Sequence, residues 1–260
     1  KEIIDSEESR RYIVASAPGK RFSDDEKVTD LLYKCFNNAK EHKDIEEIFA
    51  KIENRYTEII NNLNIDLSLK NEFENIKTSI FHNVGCDYII SRGEYLNSLI
   101  LAKYLGYDFI DAKDIIHFNE NGTLNSKKTC KYVFDELKNH KRAVIPGFYG
   151  SMPNGTIKTF SRGGSDITGS LVARGINADV YENWTDVSGM LMADPRIVNN
   201  PKTIEVITYK ELRELSYMGA TVLHEDAIFP VKEADIPINI RNTNVPEANG
   251  TMIIPKVNGI

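Results

Sequence analysis

Apolar positions in the first third of the chain recur at the three- and four-residue spacing of helices that bury one face. Val28, Leu31, Leu32, Cys35, Phe36 and Ala39 form one stripe, and Ile45, Ile48, Phe49, Ile52, Tyr56, Ile59, Ile60 and Leu63 form a second, with charged residues between them. The spacing predicts two helices here and a third near residues 67–84. No strict heptad is sustained, which disfavours a coiled coil. Strands announce themselves by a different pattern. YIVASA (12–17) is short, apolar and rich in β-formers, and Pro18-Gly19 turns the chain after it. YDFIDA (107–112), two runs of AVIPGFYGSMPNGTIKTF (143–160) joined across Pro-Asn-Gly, ADVYENWTDVSG (178–189) and PINI (237–240) read as further strands. Helical spacing returns after Ser91, up to Gly106, and again over 129–138 and 209–217. Ser91 and Glu94 fit a capping box at the start of the first of these. Helices and strands that alternate in this way predict an α/β domain with a largely parallel central sheet.

Composition narrows the classes. A chain of 260 residues buries a large core, as one domain or two. Lys plus Arg is 32 and Asp plus Glu is 38, so the net charge is −6, with the two signs interspersed. No basic footprint for nucleic acid is present, and an anionic ligand must meet a local positive site. Cys35, Cys86 and Cys130 lack metal-type spacing and read as reduced cysteines of a cytoplasmic protein. No apolar run approaches the roughly 20 residues that span a bilayer. Asn-Gly-Thr at Asn121, Asn154 and Asn249 and Asn-Trp-Thr at Asn183 match the glycosylation pattern, but Asn-Gly is first a turn signal. The chain opens without methionine, on KEIIDSEESRRYIVASAPG, from which we expect further residues upstream.

The stretch FSRGGSDITGSLVA (160–173) concentrates an arginine, two glycines, a serine and an aspartate ahead of a helix. Ser165 as N-cap explains part of it. Paired glycines admit unusual dihedrals or close approach of another group, and a helix N-terminus with Arg162 beside it suits a phosphate or carboxylate. A capped turn and an anion site both remain open on this segment alone. Ser16, residues 162–166 and Thr185-Asp186 each follow a predicted strand, where ligands of open α/β sheets collect. No G-x-G-x-x-G follows an early strand and no G-x-x-x-x-G-K-[ST] occurs, which disfavours a Rossmann dehydrogenase and a P-loop enzyme. The five His residues have no G-x-S-x-G serine to serve, and His224 reads as a structural histidine.

FSRGGSDITGSLVA, WTDVSGMLMADPRIV, MGATVLHEDAIFPVKEADIPI and the closing GTMI together resemble the catalytic domain of the aspartokinases, in the amino acid kinase superfamily. The earlier segments IVASAPG, VTDLL and SRGE are similar to the corresponding family segments. The resemblance implies one catalytic domain over residues 1–260, a three-layer αβα sandwich. It also implies transfer of the γ-phosphoryl group of ATP, with Mg2+, to the side-chain carboxylate of L-aspartate, the first step toward lysine, threonine and methionine. On that resemblance Arg162 holds the substrate α-carboxylate and Glu94 its α-ammonium. Ser16, Thr29 and Ser165 complete the substrate pocket. Gly163 and Gly164 face the reacting phosphate, and Asp166 orients the positive groups around it. Thr185, Asp186, Leu191, Arg196, Thr221 and Val222 hold the nucleotide, while Asp194 is structural. No protein-borne metal site is implied, and assembly into identical copies is left open.

Three departures accompany the resemblance. The family opens on a strand with Lys-Phe-Gly-Gly followed by Ser or Thr, which is not among these residues. Many relatives carry lysine where Thr221 stands. The ACT domains that usually follow the kinase domain are likewise not among these residues. Two other readings stay open at this point: another amino acid kinase, acting on glutamate or uridylate, and a binding module for aspartate or nucleotide that transfers nothing.

Overall fold

The structure, a computed structural model, describes residues 1–193, 197–199, 201–217, 223 and 225–256. A short helix α1 (Glu2–Asp5) leads into strand β1 (Tyr12–Ala15), and helices α2 (Val28–Lys40), α3 (Glu46–Asn62) and α4 (Lys70–Phe81) follow. The predicted stripes turn inward. Val28, Leu32, Cys35, Phe49, Ile52, Tyr56 and Ile76 are all buried in one cluster with Ile89, Ile90 and Leu96 of helix α5 (Cys86–Leu105). Each such side chain contributes about 1.5–3 kcal/mol on full burial, so tertiary packing rather than helix propensity holds this region.

The remaining elements are β2 (Asp108–Phe109), α6 (Ala112–Ile115), α7 (Ser126–Leu137), β3 (Ala143–Pro146), β4 (Tyr149–Ser151) and β5 (Ile157–Thr159). Then come α8 (Gly164–Gly175), β6 (Tyr181–Thr185), β7 (Val206–Thr208), α9 (Tyr209–Tyr217), α10 (Glu225–Glu233), β8 (Ile238–Asn242) and β9 (Thr251–Ile254). The chain is α/β, and the sheet is mostly parallel. Among the described residues it is hydrogen-bonded in two sections. One has the order β1-β3-β2, all parallel, with Tyr12 opposite Ala143 and Ala15 opposite Pro146. The other has the order β6-β8-β9-β7, in which only β8 and β9 run antiparallel. Strands β4 and β5 form the expected hairpin over Pro153-Asn154-Gly155, beside the first section.

Helix α8 joins the two sections. Ile167, Leu171 and Val172 pack with Ala143 and Ile145 of β3, while Ala173 belongs to the cluster of Ile238, Ile240 and Ile253 from β8 and β9. The fold thereby fixes the start of α8 between the carboxyl ends of β1 and β3 on one side and β6 on the other.

Two expected helix starts are corrected. The capping box at Ser91 does not form, because α5 begins five residues earlier, after Gly85, and Ile89 and Ile90 are already buried within it. Ser91 Oγ instead donates to the Tyr88 carbonyl at 2.6 Å. Nor is Ser165 the cap of α8. That position belongs to Gly163, in the left-handed region at φ 56° and ψ 28°, and no side chain caps the helix. Among the described residues no helix is long and apolar enough to cross a membrane.

Candidate functional site

Close backbone approaches gather the predicted residues at the carboxyl ends of the first strands. The Gly147 amide, just past β3, donates to the Ala15 carbonyl at 2.9 Å. A side chain on Gly147 would put its first carbon 2.5 Å from Ser165 Oγ and 2.7 Å from Ser165 Cα, so α8 starts directly against the end of β3. Asn97 Nδ2 of α5 donates to the Ser16 carbonyl at 2.7 Å. A first side-chain carbon on Gly93 would lie 3.0 Å from Ala17 Cβ and 3.6 Å from Val28 Cγ1. Ser16, Glu94, Ser165 and Thr29, which is half-buried beside Val28 in the first turn of α2, therefore share one neighbourhood. Arg162 leads into α8, exposed and free of ion pairs to the described residues.

Glu94 is the unusual group. It sits within α5 at 6 % exposure, and its Oε2 is buried with no hydrogen-bond partner. Burial pushes its carboxyl up to about 7, against hydrogen bonds from the backbone amides of Ala17 and Glu94 that favour the ionised form. A buried carboxylate oxygen without a donor is costly, and a ligand ammonium placed against it would remove that cost.

Asp166 lies in the first turn of α8. Its Oδ1 accepts from Asn183 Nδ2 at 2.8 Å, and its backbone carbonyl accepts from the Tyr181 hydroxyl at 3.2 Å. Burial raises its pKa above the ordinary carboxylate value, and the Asn183 hydrogen bond works the other way. Successive residues of a strand alternate between faces, so Tyr181, Asn183 and Thr185 of β6 share the face that meets α8. Thr185 thus lies on the side of Asp166. Thr185 Oγ1 donates to Asp186 Oδ1 at 3.2 Å, and its carbonyl accepts from the amide and hydroxyl of Thr243. The amides of Gly164, Ser165 and Asp166 find no acceptor among the described residues, which leaves the positive end of α8 available to an anion.

Leu191 is exposed and pairs with Thr203 in an isolated bridge. Asp194, Arg196, Thr221, Val222 and His224 lie outside the described residues. Three participants went unread in the sequence: Asn183, Asn97 and Gly147. Asn183 stands two residues before Thr185, so strand alternation is the signal for it, while its Asn-Trp-Thr context also matches the glycosylation pattern. Its side chain is buried against Asp166. Among the described residues no three His, Cys, Asp or Glu side chains converge as a metal cage.

Comparison with known proteins gives one consistent result. A match to the amino acid kinase family runs over residues 2–242. Aspartokinase 3 of Bacillus subtilis is 35 % identical over 98 % of this chain and 59 % of its own length. The crystal structure of aspartate kinase from Clostridium acetobutylicum superposes with a TM-score of 0.95 at 56 % identity, over 100 % of this chain and 59 % of that one. Aspartokinase III of E. coli, solved in complex with aspartate and ADP, superposes with a TM-score of 0.83 at 26 % identity, over 99 % of this chain and 61 % of that one. The chain spans about three-fifths of the length of each of these relatives.

Proposed function

Because this chain belongs to the amino acid kinase family, we propose that it is the catalytic domain of an aspartate kinase, transferring the γ-phosphoryl group of ATP to the side-chain carboxylate of L-aspartate. The observation that carries the reading is the buried, unpartnered Glu94 oxygen beside the free amides at the start of α8. One feature suits the ammonium of an amino acid and the other an anion, and both adjoin the segment just past β1: Glu94 meets the Ala17 amide, and Gly147, which donates to the Ala15 carbonyl, packs against Ser165.

In this reading the ammonium of L-aspartate sits on Glu94 and its α-carboxylate on Arg162, whose planar fork matches a carboxylate with two hydrogen bonds. Ser16, Thr29 and Ser165 close the pocket around the substrate. A side-chain carboxylate with an ordinary pKa of about 3.9 is ionised at neutral pH, so no general base is required. A carboxylate oxygen attacks the γ-phosphorus, the bond to the β-phosphate oxygen breaks, and ADP leaves with the electron pair. The obstacle is repulsion between two anions. The amides of Gly163, Gly164 and Ser165 oppose it by pointing fixed dipoles at the phosphoryl oxygens, a preorganised form of charge stabilisation. Magnesium, when bound with the nucleotide, supplies further neutralisation of the phosphates. The residues fit an ion held mainly by phosphates and water, since Asp166 Oδ2 accepts no hydrogen bond from the described residues and no competing cage is formed among them. Thr185, the last residue of β6, and Asp186 just after it hold the nucleoside end together with Leu191, Arg196, Thr221 and Val222. The same reading puts the protein in the cytoplasm, at the first step of lysine, threonine and methionine synthesis.

The test is turnover of L-aspartate, L-glutamate and uridylate by the protein in the full length its gene encodes, followed by ADP release. One methylene is worth about 10- to 200-fold in kcat/KM in a fitted pocket, so aspartate should lead glutamate by at least that lower figure. Uridylate should not react. A preference for glutamate or uridylate would replace the assignment.

A further inference from the structure

The opposite side of α5 holds a second site. Arg92 and Glu94 are two residues apart on one helix, hence about 200° apart around its axis, and they face different surroundings. Glu94 meets Ala17 and the first strands, whereas Arg92 faces β4 and the start of α6. Arg92 is 5 % exposed and carries no ion pair to the described residues. Its guanidinium lies 4.5, 4.4 and 5.1 Å from the ring centres of Tyr88, Tyr95 and Tyr149. Nε donates to the Tyr88 carbonyl at 3.3 Å and to Ser91 Oγ at 3.2 Å, and Nη2 donates to Ser91 Oγ at 2.9 Å. Nη1 has no acceptor among the described residues. A buried arginine normally pairs with a carboxylate; here it opens on a cavity of 390 Å³ between α4, α5 and α6.

The charges around that cavity select the occupant. Lys113 and Asp111 neutralise one another at 3.3 Å, and Asp111 Oδ1 also accepts from the Tyr149 hydroxyl at 2.7 Å. Glu72 of α4, half-buried on the other wall, pairs with no described cation. One unpaired cation and one unpaired carboxylate thus line the same cavity, together with Tyr88 and Tyr95. An inorganic anion would satisfy Arg92 but be repelled by Glu72, and a simple amine would be repelled by Arg92. We propose that this cavity binds a free α-amino acid, its carboxylate on Arg92, its ammonium on Glu72 and its side chain along the two tyrosine rings. The site stands whether or not the chain is an aspartate kinase, and its occupant would press on the helix that positions Glu94.

Calorimetric titration of the protein with L-serine, L-leucine and L-phenylalanine tests it, with acetate and methylamine as controls that carry one charge each. At least one amino acid should bind with a Kd below about 5 mM, and both controls at least about tenfold more weakly. Glu72→Gln and Arg92→Gln should each weaken binding at least tenfold, while Arg162→Ala should leave it unchanged. Glu72 lies at the cavity edge, so its variant decides the matter if Arg92→Gln does not fold. No binding by 10-fold above that concentration would overturn the proposal. So would acetate binding as well as the amino acids, indifference to Glu72→Gln, or loss of binding in Arg162→Ala, which would move the event to the other side of α5.

Discussion

Asn183 Nδ2 lies 2.8 Å from Asp166 Oδ1, joining strand β6 to the first turn of α8 across 17 residues of sequence. The bond favours the ionised carboxylate where burial disfavours it. Hydrogen bonds to charged groups are worth about 1.5–3 kcal/mol, so Asn183→Leu should lower kcat by about 10- to 100-fold with the KM for aspartate little changed. The acid limb of the pH–rate profile should move to higher pH, because Asp166 then ionises less readily. Asp166→Ala should lower turnover further; an equal loss in aspartate affinity would contradict its place beside the phosphate.

Glu94 links stability to pH with a definite sign. Its carboxyl is held at about 7 against an ordinary 4.5, so folding favours the protonated form. Its contribution to stability is fully present below 4.5 and is lost as pH rises through about 7. Denaturant titrations of the ligand-free protein should therefore find Glu94→Gln gaining on the unaltered protein between pH 5 and pH 8, by roughly 3 kcal/mol at most. Aspartate binding should respond in the opposite direction. Affinity rises with pH through about 7 as the carboxylate forms to meet the ammonium, and Glu94→Gln loses both that dependence and most of the affinity.

Gly147→Ala tests the contact that seats α8 against β3. The added methyl would lie 2.7 Å from Ser165 Cα, a backbone atom that moves only with its helix. Overpacking of this kind costs about 1–3 kcal/mol, and the displaced first turn of α8 should lower kcat as well. Gly19→Ala, with nothing within 4 Å of the added carbon, is the control and should leave the denaturation midpoint within experimental scatter.

Arg162→Lys should raise the KM for aspartate by about 10- to 100-fold, because lysine keeps the charge but not the two parallel hydrogen bonds. Steady-state kinetics at saturating ATP would show it. A KM within twofold of the unaltered protein would detach Arg162 from the substrate carboxylate.

Periodicity made the helical third of the chain legible, since α2 and α3 turn the stripes their spacing announces inward, except for Leu63, which is exposed just past α3; α9 likewise spans the predicted 209–217. The start of α5 was not legible. Ser91-x-x-Glu94 mimics a capping box, and the decisive fact, that Glu94 is buried rather than turned back to a helix end, depends on Ala17 and Tyr56 from distant elements. Gly163 displaced Ser165 as the cap because a left-handed residue redirects the backbone at that step, which a serine at the next but one position does not reveal. Asp166 was readable as a polar residue in a glycine-rich turn, but its partner Asn183 comes from a strand whose packing face appears only once β6 is set against α8. The pattern of residues placed Arg92 beside Glu94; helix geometry put them on opposite sides.

Phosphoryl transfer to a carboxylate of L-aspartate leaves an acyl phosphate that hydroxylamine traps. The decisive experiment incubates the full-length protein with Mg-ATP, L-aspartate and hydroxylamine and identifies the trapped product by mass spectrometry. The hydroxamate of the aspartate side chain should form, absent without ATP and reduced in the Arg162 and Asp166 variants. ADP release or aspartate binding with no hydroxamate at all would contradict that transfer.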